Sequence, residues 1–158
     1  MDIGMLLLQF QAGGERYGLD IRQVIEVAPL VCLRKIPHAV REVAGTFSYR
    51  GTLVPVLDVT DVLTGTPSCP LMSTRIILVD YPGDDGRTHI LGLMAESVTE
   101  VIRCRPADRQ APVVAVSEAP YLVDILFDER GSLQVLELAR FLPKELLFSL
   151  FPPEVLSP

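Results

Sequence analysis

The chain contains no tryptophan, and its aromatic side chains amount to six Phe and four Tyr. Proteins that bind single-stranded nucleic acid stack bases on aromatic platforms set in a basic groove. Here 14 Lys and Arg stand against 20 Asp and Glu, for a net charge of −6. The basic face that phosphate recognition needs is missing. An oligonucleotide-binding barrel is disfavoured on both counts, and no nucleic-acid partner is expected.

The groups that carry chemistry are equally sparse. Cys32, Cys69 and Cys104 are odd in number and far apart, so they make neither a disulfide framework nor a paired metal motif. Cys32 and Cys104 lie in apolar, strand-like segments and are expected to be buried thiols; Cys69 lies in a loop and is expected to be exposed. His38 and His89 are the only histidines, and neither has a second ligand at metal spacing. Both read as surface or strand-edge residues. Asp84 and Asp85 read as a solvated hairpin turn, since no series of spaced oxygen ligands follows. Asp58 and Asp61 read as helix-cap residues rather than a carboxylate pair. Ser48, Ser73 and Ser117 lack a nucleophile-elbow setting, and no glycine-rich phosphate loop is present. The expectation is a protein that is not an enzyme and holds no metal or cofactor. A small β-barrel hydrolase is the remote alternative.

No apolar run approaches the ~20 residues of a membrane-spanning helix. Residues 1 to 12 contain Asp2 and no Lys or Arg, unlike a signal peptide. The expected location is the cytoplasm, without direct insertion into a membrane.

What the chain does have is a succession of short apolar segments separated by turn residues. Met5 to Gln11 alternates as a strand, with Leu6, Leu8 and Phe10 on one face and Leu7, Gln9 and Gln11 on the other. Ala12-Gly-Gly-Glu15 supplies a turn, and Arg16 to Asp20 returns. Ile21 to Val24 reads as one helical turn, and Ile25 to Leu33 as a strand broken at Pro29. Asp58 or Thr60 can cap a short helix through Leu63, and Thr64 to Ser73 reads as a loop. Thr74 to Asp80 is apolar on both faces, as in a strand buried from both sides. Thr88 to Ala95 and Val98 to Arg103 read as two further strands. Arg105 to Pro120 reads as a loop with a short extended piece at Val113 to Val116. Tyr121 to Phe127 and Leu133 to Glu137 form a third hairpin. The helical pattern of Leu138 to Leu142 and Lys144 to Phe151 is interrupted by Pro143 and stopped by Pro152-Pro153. Its apolar residues Leu147, Phe148, Leu150 and Phe151 read either as a helix docked on the body or as an exposed patch. About nine to eleven strands with glycine turns form an all-β signature.

The stretch Val43-Ala-Gly-Thr-Phe-Ser-Tyr-Arg-Gly-Thr-Leu-Val-Pro-Val-Leu-Asp58 stands out. Two apolar strands meet at Arg50-Gly51, and Gly51 can take a positive φ at the turn. Arg50 is the only charge between Glu42 and Asp58 and is expected to point into water or at a partner. Pro55 lacks an N–H and belongs where the ladder needs none.

This stretch resembles the signature of the CheW-like family, adaptors that couple chemoreceptors to a histidine kinase. Arg50, Gly51, Pro55 and Asp58 match its pattern, while Ser48-Tyr49 replaces the usual Asn-Leu. Phe10, Tyr17 to Ile21 and Val24 to Val27 are similar to the family's opening hairpin. Thr74 to Val79, Leu91 to Met94 and Val98 to Val101 are similar to its middle. Leu133 to Leu142 is similar to its closing strand and helix. The resemblance implies two packed five-stranded β-barrels with a short C-terminal helix. Residues 1–150 would form a single domain, with one barrel of about 8–78, a second of about 79–145 plus the first strand, and a tail at 151–158. It implies an adaptor whose partners are a chemoreceptor-like protein and a CheA-like histidine kinase, recruited to membrane receptor clusters. Arg50, Gly51, Tyr49 and Glu26 would belong to the receptor-binding site, and the kinase face would lie at an unassigned place within 8–78. Two segments, Gly45 to Gly51 and Ser73 to Tyr81, look closest to the Wsp-type (WspB-like) adaptors of surface-sensing pathways that end in cyclic-di-GMP and biofilm behaviour. Adaptors of flagellar or pili-type chemotaxis are the alternative.

Overall fold

The computed structural model describes residues 4–69, 72–83, 86–111, 121–142, 146, 150 and 151. β1 (Met5–Ala12) and β2 (Glu15–Asp20) form the first hairpin. A 3-10 turn at Ile21–Gln23, capped by the Asp20 side chain, leads into β3 (Val24–Pro29). β4 (Val43–Tyr49) and β5 (Thr52–Asp58) form the central hairpin, followed by α1 (Val59–Thr64). β6 (Arg75–Pro82) pairs with the long β7 (Thr88–Cys104). β8 (Arg109–Gln110), β9 (Leu122–Asp128) and β10 (Gly131–Leu136) complete the strands.

The all-β expectation holds, but among the described residues the strands join in one open sheet rather than two closed barrels. Its path runs β3-β6-β7-β1-β2-β10-β9-β8, with β5 added to β7 and β4 to β5. β7 belongs to both ends. Its residues up to Ala95 pair with β6 and β5, and those from Glu96 to Cys104 pair with β1. A boundary near residues 78 and 79 would therefore cut through β6. β2, expected in the first barrel, lies between β1 and β10.

The ladder stops short of closure for a local reason. β3 ends at Pro29, which has no N–H to donate. The chain rejoins at a single bridge, where Arg34 and Thr46 exchange two backbone hydrogen bonds of 2.8 Å. Gly45 permits this approach, since a Cβ there would lie 2.7 Å from the Arg34 carbonyl oxygen. The bridge also explains Pro55. It stands opposite Thr46, whose N–H and C=O turn away to Arg34, so that pair needs no proline donor.

Three apolar clusters account for strands that are hydrophobic on both faces. On β6, Ile76 and Leu78 pack with Val54, Val56 and Met94 inside the β3–β6 group. Ile77, Val79 and Tyr81 face the other way, into a central core with Phe10, Leu19, Leu93 and Phe141. Leu7, Leu126, Leu133 and Val135 fill the third cluster, inside the β1–β2–β10–β9 group. Each group thus has its own core, and the largest cluster joins them.

Two local expectations change. The segments Thr88 to Ala95 and Val98 to Arg103 are one strand, kinked at Ser97, where φ is +49°. There β1 advances from Gln9 to Gln11 while β7 runs from Glu100 back to Glu96, and this bulge carries the strand from one group to the other. Cys32 is exposed rather than buried, because it follows the break at Pro29; Cys104 is buried and Cys69 exposed. Near the C-terminus, Leu146 is buried in the central core, and Leu150 and Phe151 pack against it. Phe151 stacks on His89 at 4.3 Å between ring centroids. Asp84, Asp85, Val113 to Val116, Ser117, Leu147, Phe148 and residues 152–158 of the tail lie outside the described residues.

Candidate functional site

The β4–β5 hairpin closes on two residues, Arg50 and Gly51, between the paired Tyr49 and Thr52. Both have positive φ, +48° and +80°. Two consecutive left-handed residues make the tight turn whose twist suits a two-stranded ribbon. Glycine fills the second position without strain. An arginine at the first is unusual, because its Cβ crowds the backbone there.

The corner is not isolated in space. β3 delivers Glu26 from 23 residues earlier in the chain. The Tyr49 hydroxyl donates a 2.5 Å hydrogen bond to Glu26 Oε2. The Arg50 guanidinium lies 3.7 Å from the same oxygen and 5.1 Å from the centre of the Tyr49 ring. Glu26 thus receives a hydroxyl and a cation at one oxygen, and the ring supports the guanidinium from its face. The hydrogen bond to Glu26 holds the Tyr49 hydroxyl above its ordinary pKa. Phe47 meets Tyr49 edge-on and packs against the core of this group, which anchors the base of the cluster.

All four residues expected at the receptor site, Arg50, Gly51, Tyr49 and Glu26, therefore meet at one corner. The absence of an opposite charge near Arg50 in sequence made it look free to project. Its partner comes from another strand, a contact that sequence distance hides. Even so, the Arg50 side chain stays 78% exposed. The arrangement orients a cation toward solvent without burying it.

Beside the hairpin lies a groove of about 480 Å³, lined in part by Ile36, Pro37, Val40, Leu53 and Leu150. Ile36 and Val40 are exposed, and Leu53 is 68% exposed. The segment forming one wall is tied down at both ends. The Arg34–Thr46 bridge holds one end; at the other, Arg41 reaches the buried Asp61 at 2.8 Å and the Gly65 carbonyl at 3.2 Å. Asp58 caps α1, accepting from the Asp61 N–H and from the N–H and hydroxyl of Ser68. Asp58 is thus the cap the sequence suggests, whereas the side chain of Asp61, also read as a cap residue, pairs with Arg41 instead. The groove was not legible as a unit, because its walls come from four separate stretches.

Among the described residues, no group of three or more His, Cys, Asp or Glu is placed to hold a metal ion. Among the same residues, no helix is long and apolar enough to cross a membrane.

Comparison with known proteins agrees with the hairpin signature. The CheW-like domain matches residues 6–145. The chain is 24% identical over 144 residues to the chemotaxis protein CheW of Rhizobium meliloti (strain 1021), covering 90% of each chain. It is 29% identical over 112 residues to the chemotaxis protein CheW of Treponema pallidum (strain Nichols), covering 71% of this chain and 58% of that one. The crystal structure of the scaffolding protein TtCheW from Thermoanaerobacter tengcongensis superposes with a TM-score of 0.77 at 24% identity, covering 92% of both chains. With the family's domain spanning nearly the whole sheet and the hairpin at its centre, the chain belongs to the CheW-like domain family.

Proposed function

We propose that this protein is a non-enzymatic adaptor that couples a chemoreceptor-like sensor to a CheA-like histidine kinase. The observation that carries the reading is the Glu26–Tyr49–Arg50 corner, an exposed and oriented cation on the segment that bears the family signature. Such a protein acts by holding partners in register, so its mechanism lies in complementary surfaces rather than in bond chemistry. The receptor binds at the corner formed by Arg50, Gly51, Tyr49 and Glu26. The kinase binds the apolar groove beside it, with Ile36, Val40 and Leu53 as its exposed residues. This assignment narrows the kinase face within residues 8–78.

Two variants test the division. Arg50→Ala is expected to lose receptor capture and keep kinase capture in a pull-down with purified partners. Leu53→Glu is expected to do the reverse. Loss of both, or of neither, in both variants would overturn the assignment.

The branch of signalling is a finer proposal. The likeness of Gly45 to Gly51 and Ser73 to Tyr81 to Wsp-type adaptors supports a surface-sensing pathway that ends in cyclic-di-GMP. Deleting the gene is then expected to change cyclic-di-GMP level and biofilm mass while leaving swimming intact. Loss of swimming or twitching instead would place the protein in flagellar or pili-type chemotaxis.

A further inference from the structure

Among the described residues the second strand group lacks a complete ladder, yet one end of it is held shut by side chains. Along the sheet path, β1 and β2 separate β7 from the β9–β10 hairpin. Gln9 on β1 stands opposite Glu100 on β7 and opposite Gly18 on β2. Arg16 lies two residues from Gly18, so Gln9, Glu100 and Arg16 share a face. That face also carries Leu7, which packs with Leu133 and Val135 in the cluster inside this group.

At the end of that cluster the turn between β9 and β10 folds over. Arg16 makes a two-pronged contact with Asp128, at 2.8 and 2.6 Å, and donates to Gln9 Oε1 at 2.9 Å. The Arg16 side chain is only 11% exposed and Gln9 is buried. The Arg130 N–H donates to Asp128 at 2.8 Å, which orients the carboxylate. The Arg130 side chain pairs with Glu100, reaching back to β7 across two intervening strands. Paired, geometrically matched contacts of this type are the strong class of ion pair, and burial limits screening of the Arg16 half.

We propose that Gln9, Arg16, Asp128, Arg130 and Glu100 form a latch that ties the β9–β10 turn to β1, β2 and β7 at this end of the second strand group. The β9–β10 hairpin is the moving part. With the latch engaged its own Leu126, Leu133 and Val135 stay packed against Leu7 and Cys104. With the latch broken it opens locally while the β3–β6 group stays intact.

Amide hydrogen exchange of the full chain tests this, because it reads opening strand by strand. Asp128→Asn and Glu100→Gln keep side-chain shape and remove charge. Each is expected to speed exchange across β9 and β10 about tenfold, with β5 and β6 amides within about twofold of the parent. Arg22→Ala, which breaks the exposed Asp20–Arg22 pair elsewhere, is expected to leave the β9 and β10 rates unchanged. Arg130→Ala trims an exposed side chain, leaves the Arg16–Asp128 pair whole and is expected to fold even where the others do not. In its background the added effect of Glu100→Gln is expected to shrink, leaving only the attraction of Glu100 for Arg16. Unchanged β9 and β10 rates would overturn the proposal. So would equal acceleration in β5 and β6, or a Glu100→Gln effect undiminished without Arg130.

Discussion

Replacing Arg50 by alanine separates a recognition role from a structural one. The Arg50–Glu26 pair is solvent-exposed with a 3.7 Å separation, and such pairs contribute about 0–1 kcal/mol. The guanidinium over Tyr49 adds roughly 0.5–1 kcal/mol at an exposed site. The backbone strain at φ +48° is the same for alanine, so it drops out of the difference. The two contacts share one flexible side chain and do not add fully. The expected loss of stability is therefore about 1 kcal/mol or less, a melting shift of roughly 2–4 °C for a chain of this size. A recognition arginine at the centre of an interface is worth about 2 kcal/mol or more, which is roughly 30-fold in affinity. Arg50→Ala is thus expected to melt close to the parent yet lose receptor binding by 30-fold or more. Arg50→Gly removes the same cation and also relieves the strain. It is expected to match or exceed the parent in stability while binding no better than alanine. Gly51→Val should behave differently. A Cβ at Gly51 meets open space, but a branched residue at φ +80° costs about 1–2 kcal/mol and splays the hairpin. Thermal melts and titration calorimetry against the receptor tip measure both quantities. A melting temperature more than about 5 °C below the parent for Arg50→Ala would refute the reasoning by making the residue a structural partner. Unchanged affinity would refute it by placing the receptor elsewhere.

Acid is expected to weaken the β9–β10 turn only at low pH. The hydrogen bonds from Arg16, helped by the Arg130 N–H, lower the Asp128 pKa from 3.8 to about 2. A depressed carboxylate stabilises the fold above its unfolded pKa, so the contribution is present above about pH 4 and lost as pH falls through about 2. A shift of this size corresponds to at most about 2.4 kcal/mol, and solvent at the exposed side of the carboxylate reduces it to about 1 kcal/mol. Urea melts between pH 5 and pH 2 check this, and Asp128→Asn should flatten that part of the profile by about the same amount. Gly45→Ala is expected to cost about 2 kcal/mol or more, because the new Cβ would force apart the Arg34–Thr46 bridge; a parent-like melt would show the bridge to be dispensable. Metal analysis of purified protein is expected to find no stoichiometric ion, and one ion per chain would overturn that expectation.

The sequence by itself determined the class of the fold. Short apolar runs, alternating or continuous and bounded by turn residues, made strands of Met5 to Ala12, Arg75 to Pro82 and Leu122 to Asp128, because strand patterning is a local property. Two-sided apolarity at Ile76 to Val79 already required cores on both faces of β6. The Arg50-Gly51 turn and the Asp58 cap were legible for the same reason, since each is set by residues within a few positions. Only the tertiary structure decided what meets across long intervals. It joined two expected strands into β7 and let that strand serve both groups. Among the described residues it tied β3's continuation to β4 by a bridge at Arg34 and the β9–β10 turn to β2 and β7 by the Arg16–Asp128 and Arg130–Glu100 pairs. It brought Glu26 to Arg50 and assembled the Ile36–Leu53 groove from separate stretches. Pairing of this kind depends on which distant strands become neighbours, and residue spacing carries no direct record of that choice.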